Sequence, residues 1–258
     1  MRVLRDKQPL FFLAENVRGM LAEKHKRHLN NIIAEFGAAG YEVQIQLLNA
    51  KYHNVPQDRL RLIFVGYHRS LGKSFQFPHR EIRVPTLRDA IWDLQDRALP
   101  AKAKNKANGA ECMVPNHEYF IGGFSPRYMA RNRVRAWDEP SFTIQASGRH
   151  APLHPQANKM VQVHQDKRVF DENSPAPYRR LSMRECARIQ TFPDDFVFYY
   201  DDLDIGYKMV GNAVPVNLAF ALASKIYNDL FVHSDATIEE KGKCAQSTAL
   251  SQLSLDLH

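Results

Sequence analysis

Phe11-Phe12-Leu13-Ala14-Glu15-Asn16-Val17 is an apolar run of strand length that ends in a carboxylate and an amide, with Arg18-Gly19 directly after it. A buried parallel strand delivers a polar group to the mouth of an open α/β sheet in this way. Glu15 is then expected at that mouth. A carboxylate there can accept a heterocyclic N–H or, once its pKa is raised, give a proton to a ring nitrogen. A strand-end glutamate paired with an arginine fits the same pattern, so its meaning depends on what else the chain brings to Glu15.

Before this strand, residues 1–8 read as the last turns of an amphipathic helix with basic residues at its end, stopped by Gln8-Pro9. After it, Leu29, Ile32, Ile33 and Phe36 keep helical spacing and leave Lys24, Lys26 and Arg27 for solvent, with Gly37 and Gly40 closing the element. Tyr41, Val43, Ile45 and Leu47 alternate as a half-buried strand, and Leu62-Ile63-Phe64-Val65 is a short, fully apolar one. The order is β-α-β-β. Between the last two strands stand Gln57, Arg59 and Arg61; in an extended segment the two arginines project to the same side and can reach one pocket. A solvated edge fits an isolated Arg-x-Arg equally.

The chain has 258 residues, 44% of them hydrophobic, enough for a sizeable core in one or two domains. It lacks an uninterrupted apolar run of membrane-spanning length and a signal-peptide core at its start, so a cytoplasmic protein without membrane association is expected. Three widely spaced cysteines, 112, 186 and 244, form no disulfide framework. The net charge of +7 favours a polyanionic partner. Arginines 127, 131, 133, 135 and 149 face only Asp138 and Glu139 across residues 127–149. His117, His150, His154 and Cys112 have no compact zinc-finger spacing, and no metal is assigned.

Further helices are expected from a Thr86 cap with Asp89 three residues on, and from Ser182 with Glu185, the latter stopped by Pro193. A last helix is expected over 216–231, with Leu218, Leu222, Ile226 and Leu230 on one face and Pro215 in the first turn. Residues 98–116 read as a polar loop and 194–204 as a surface connection. The polar stretch 233–258 is expected to be disordered.

Four segments in this order resemble the cytosine-5 DNA methyltransferases: Glu15-Asn16-Val17; Gln57-x-Arg59-x-Arg61; Arg180-Leu181-Ser182-x-Arg184-Glu185-Cys186-Ala187-Arg188-Ile189-Gln190-x-Phe192-Pro193; and Gly211-Asn212-Ala213-Val214-Pro215. Residues 119–160, especially Arg131-Asn132-Arg133-Val134-Arg135 and Gln145-Ala146-Ser147-Gly148-Arg149, are similar to the GGCC-specific restriction-modification members. The resemblance implies a partial Rossmann-like methyltransferase sheet with an inserted, mostly irregular/β DNA-recognition domain. Its catalytic part would be residues 1–88 with 205–232, and its recognition domain and hinge residues 89–204. It implies that Glu15 relieves the charge placed on cytosine when C6 is attacked, that Arg61 orients Glu15 and the base, and that Arg59 and Gln57 support them. The base must first be flipped from the duplex. It further implies that Arg131, Arg133 and Arg149 contact guanine edges, and that Asn212 and the backbone near Val214 border S-adenosylmethionine.

Two family features are missing. The attacking cysteine of a Pro-Cys motif has no counterpart, since Cys112, Cys186 and Cys244 follow Glu111, Glu185 and Lys243. The chain also contains no Gly-x-Gly for the cofactor loop. A carboxyl-terminal part of a split or truncated methyltransferase is therefore expected, inactive without a complementary amino-terminal polypeptide. The alternatives are a non-catalytic DNA-binding remnant or subunit, an RNA methyltransferase of the same family, and a poorly folded remnant with an exposed sheet edge.

Overall fold

The computed structural model describes residues 1–232, and the expected disordered stretch 233–258 lies outside them. Helix α1 (Arg2–Lys7) ends at Gln8, which adopts a left-handed conformation with φ 44°. Strand β1 (Phe11–Val17), helix α2 (Lys26–Ala38), and strands β2 (Tyr41–Asn49) and β3 (Leu60–His68) follow. The three strands form one antiparallel sheet in the order β1-β3-β2, with β3 central.

This corrects the expectation for Phe11–Val17. The strand is antiparallel and lies at the sheet's edge, leaving Phe11, Leu13 and Val17 37%, 40% and 54% exposed. Its apolar run reads as buried in sequence because one face does pack: Phe12 and Ala14 join Leu62, Phe64 and the α2 residues Leu29 and Phe36. The fully apolar strand is instead β3, covered on both faces. Alternation sends Leu62 and Phe64 toward α2, while Ile63, Val65 and Tyr67 pack under helix α7 (Val216–Phe231). Burying each of these side chains stabilises the sheet by roughly 1.5–3 kcal/mol. Leu218, Leu222 and Ile226 of α7 face this layer, and Tyr67 donates its hydroxyl to Asp229 at 3.0 Å.

Helix α3 (Leu87–Ile91) starts in a capping box between Thr86 and Asp89, and α5 (Met183–Ile189) in one between Ser182 and Glu185, as their sequences predict. They pack together with helix α6 (Leu203–Asn212). The rest of the inserted region is largely irregular. It holds helix α4 (Pro126–Met129) and two small sheets, β4 (Leu99–Pro100) with β5 (Glu118–Tyr119), and β6 (Val161–His164) with β7 (Lys167–Val169). Residues 194–204 are more than a surface connection, since Phe198 is buried and Tyr200 packs on the same core.

The expected changeover to the catalytic part at 205 falls later in the packing. Leu203, Tyr207 and Val210 of α6 belong to the α3/α5 core, and of the two helices α6 and α7 it is α7 that packs on the sheet. The span Leu203–Phe231 has the length and apolarity of a membrane helix, but it is interrupted at Ala213 and Pro215, whose backbones are extended.

Candidate active site

Glu15 and Arg61 meet at the β1 end of the sheet. The strand register pairs Val17 with Arg61 and Glu15 with Ile63, so the two side chains are diagonal neighbours. Arg61 Nε lies 2.6 Å from Glu15 Oε1, with side chains 15% and 26% exposed. Burial lowers the Arg61 pKa, and the carboxylate of Glu15 opposes that shift. The result is a largely shielded carboxylate braced by a planar donor.

Arg59 has different work from the one its spacing suggests. Its buried guanidinium makes no ion pair with Glu15, though it feels that carboxylate's charge, and donates to the carbonyls of Ile144 (3.0 Å), Gly211 (2.9 Å) and Ala213 (3.1 Å). Burial first, then Arg61, brings its pKa down to about 10, so it stays charged at neutral pH. The backbone enters β3 immediately after Arg59, and the two arginines take divergent directions at that boundary. Gln57 acts beside it. Its carbonyl accepts from Ile144 N at 2.9 Å, and its amide donates to Gln190 Oε1 at 2.8 Å. Gln190 in turn donates to the carbonyls of Val210 and Ala213. Gln57 and Arg59 therefore lock the β2–β3 connection, the recognition region and the α6–α7 break to one another. The same junction carries reciprocal backbone bonds between residues 56–58 and Ser141.

With both neighbouring carbonyls turned toward Arg59, Asn212 is exposed at the end of α6 and Val214 is half-buried against the sheet-side core. This exposed amide beside a fixed backbone fits one side of a polar cofactor. Gly211 is required here, because a Cβ would lie 2.4 Å from the backbone of Gln145.

The arginine cluster separates by environment. Arg131 and Arg149 are exposed. Arg133 is half-buried and turned inward. Its Nε donates to Tyr128 O at 2.9 Å, Nη2 donates to Arg127 O at 3.4 Å, and the guanidinium lies over the Tyr128 ring. A fork occupied in this way is poorly placed for bidentate guanine contact, contrary to the sequence expectation. Arg135 pairs with Glu139 at 3.1 Å and approaches Asp58 at 4.0 Å, a structural link between the recognition region and the sheet.

Sequence reading missed the polar core behind this surface. Arg179 holds both oxygens of fully buried Glu185 at 2.8 Å, and His154 lies 3.4 Å from the same carboxylate. His117 bonds Ser182 at 2.7 Å. The capping box was the only signal for this network in the sequence. Neither described cysteine has thiolate character. Burial, then Glu118, pushes Cys112 up to about 11, and complete burial pushes Cys186 well above its ordinary value.

The arginine-braced carboxylate thus stands on the edge strand of the three-stranded sheet, which is joined to an inserted, arginine-bearing region. Residues 1–228 match the C-5 cytosine-specific DNA methylase family, and the chain belongs to it. It is 58% identical over 228 residues to type II methyltransferase M.MthTI of Methanothermobacter thermautotrophicus, covering 88% of this chain and 69% of that protein. It is 53% identical over 232 residues to M.FnuDI of Fusobacterium nucleatum, covering 89% and 67% respectively. Its fold is similar to that of a prophage-encoded E. coli protein described as a DNA modification methyltransferase, with a TM-score of 0.62 and 21% identity over 89% of this chain and 72% of that one. The family methylates DNA cytosine with S-adenosylmethionine.

Proposed function

We propose that this chain supplies the proton-side chemistry and the DNA reading of cytosine-5 methylation at GGCC. The observation that carries this reading is the 2.6 Å ion pair between Arg61 and Glu15 on the edge strand. A cytosine flipped against this edge presents N3 to Glu15. When a thiolate adds at C6, negative charge spreads onto the ring toward N3, and a proton held there by Glu15 relieves it. Arg61 fixes the carboxylate's position, so little reorganisation accompanies that step. S-adenosylmethionine supplies the methyl group when bound, with Asn212 and the backbone at Val214 on one side of it.

The 258 residues contain no Pro-Cys pair and no Gly-x-Gly. In this reading the thiolate and the rest of the cofactor site come from another polypeptide segment, and the isolated chain does not methylate. GGCC is favoured by the resemblance of residues 119–160, with exposed Arg131 and Arg149 meeting guanine N7 and O6 and Arg133 bracing the loop through the Tyr128 and Arg127 carbonyls. The test is co-expression with a segment carrying Pro-Cys and a glycine-rich loop, followed by tritiated methyl transfer to a GGCC duplex. Incorporation that Glu15→Gln abolishes supports the reading; incorporation indifferent to Glu15 removes it.

A second reading, a DNA-binding subunit without chemistry, follows from the position of all three cysteines outside a Pro-Cys pair. GGCC-selective binding with no methyl transfer in the co-expressed pair would establish it.

A further inference from the structure

Gly122 and Gly123 line a cleft of about 540 Å³ together with Arg149 and His150. Beneath the glycines lies Arg180, only 3% exposed. Its Nη1 donates to Gly122 O at 3.1 Å and its Nη2 to Gly123 O at 2.9 Å. The guanidinium is held in turn among the rings of Phe124, Phe120 and Tyr128, at 4.1, 5.4 and 5.6 Å from their centroids.

This grip has a geometric consequence. No cis peptide occurs among the described residues, and in a planar trans peptide the carbonyl and the following N–H point in opposite directions. Drawing two successive carbonyls onto Arg180 turns the N–H groups of Gly123 and Phe124 away from it. Neither N–H donates to another backbone group in the described residues. Successive outward N–H groups make an anion-binding concavity.

The glycines differ in what the fold demands of them. Gly122 has φ +122°, a conformation that side chains rarely permit. Gly123 has no such requirement, and a Cβ added there would meet nothing within 4 Å. The bare backbone at 123 leaves room for a group approaching from outside. That group meets the guanidiniums of Arg180, behind the glycines, and of Arg149, which has no carboxylate partner among the described residues; the nearby Asp204 carboxylate is taken up by Gly148 N–H and the Ser147 hydroxyl.

We propose that the Gly123 and Phe124 N–H groups bind one phosphodiester of the DNA backbone, with Arg180 as the positioning residue that turns them outward. The proposal rests on DNA as the substrate and adds a contact that carries no sequence information of its own.

The test measures fluorescence anisotropy of the full chain with a GGCC duplex and a scrambled duplex. Gly123→Asp places a carboxylate in open space beside the two N–H groups. It is expected to weaken both duplexes about tenfold and to leave their ratio and the thermal melt unchanged. Gly123→Ala, whose methyl group meets no atom, carries the same comparison with a loss of about threefold should the aspartate variant fold poorly. A methylphosphonate scan of the GGCC duplex should find one position whose neutralisation weakens the native chain and costs Gly123→Asp nothing further.

Equal affinity of the native chain and both Gly123 variants, or methylphosphonate losses that add at every position, overturns the proposal. A native chain that binds both duplexes equally tells against GGCC reading instead, and leaves the phosphate contact to be decided by the Gly123 variants. A native chain that binds neither duplex overturns both.

Discussion

Arg61 Nε and Glu15 Oε1 lie 2.6 Å apart on adjacent antiparallel strands, Arg61 one step from the β3 start and Glu15 near the end of β1. Because both side chains are largely shielded, the pair is held more firmly than a surface ion pair, whose coupling is about 0–1 kcal/mol. Glu15 nevertheless keeps 26% of its side chain exposed.

Glu15→Gln keeps the shape of the side chain and removes its proton chemistry. In the enzyme completed by a thiolate-bearing segment, kcat should fall about 100-fold or more while DNA affinity stays within about threefold. Single-turnover methyl transfer and anisotropy measure the two separately. Arg61→Met should lower kcat about tenfold, through an unbraced Glu15.

Arg59→Met leaves the Ile144 and Gly211 carbonyls at a buried junction without their donor, while the Ala213 carbonyl keeps Gln190. A stability loss of about 3 kcal/mol is expected in urea unfolding. Gly211→Ala should cost about 1–3 kcal/mol by forcing the α6 end away from the Gln145 backbone. The two losses should add incompletely, because both variants loosen the same contact.

Acid should destabilise the fold from near neutrality downward. Burial lowers His154 from 6.5 to about 4. The unfolded chain therefore takes up this proton first, so the histidine's contribution is complete above 6.5 and is lost as pH falls toward 4. Burial alone would raise the Glu185 carboxyl, but Arg179 and then His154 overcome it and hold it down to about 2. Its contribution is present above 4.5 and is lost between 4.5 and 2. Urea midpoints measured at falling pH should decline across both windows, and His154→Gln should flatten the upper one.

Arg131 and Arg133, two residues apart, should behave differently. Arg131→Ala should leave stability unchanged and reduce discrimination between GGCC and a singly altered site by about 1–3 kcal/mol. Arg133→Lys should cost roughly 1–2 kcal/mol of stability through lost bonds to the Arg127 and Tyr128 carbonyls. Competition binding and urea unfolding on the same two variants distinguish these outcomes.

The sequence by itself determined the elements and their local chemistry. The strand carrying Glu15, the helical spacing of Leu218, Leu222 and Ile226, and the Thr86/Asp89 and Ser182/Glu185 caps are all legible because hydrophobic period and capping are properties of a few adjacent residues. The family, too, was legible in four short segments. Tertiary structure alone decided direction and partner. An apolar strand reads the same whether parallel or antiparallel, central or edge, so the position of β1 had to come from β3 pairing. Arg59 and Arg61 are alike in sequence, but the first is drawn to carbonyls at residues 144, 211 and 213 and the second to Glu15. A guanidinium goes where unpaired acceptors remain after the chain has folded, and those acceptors lie up to 154 residues away.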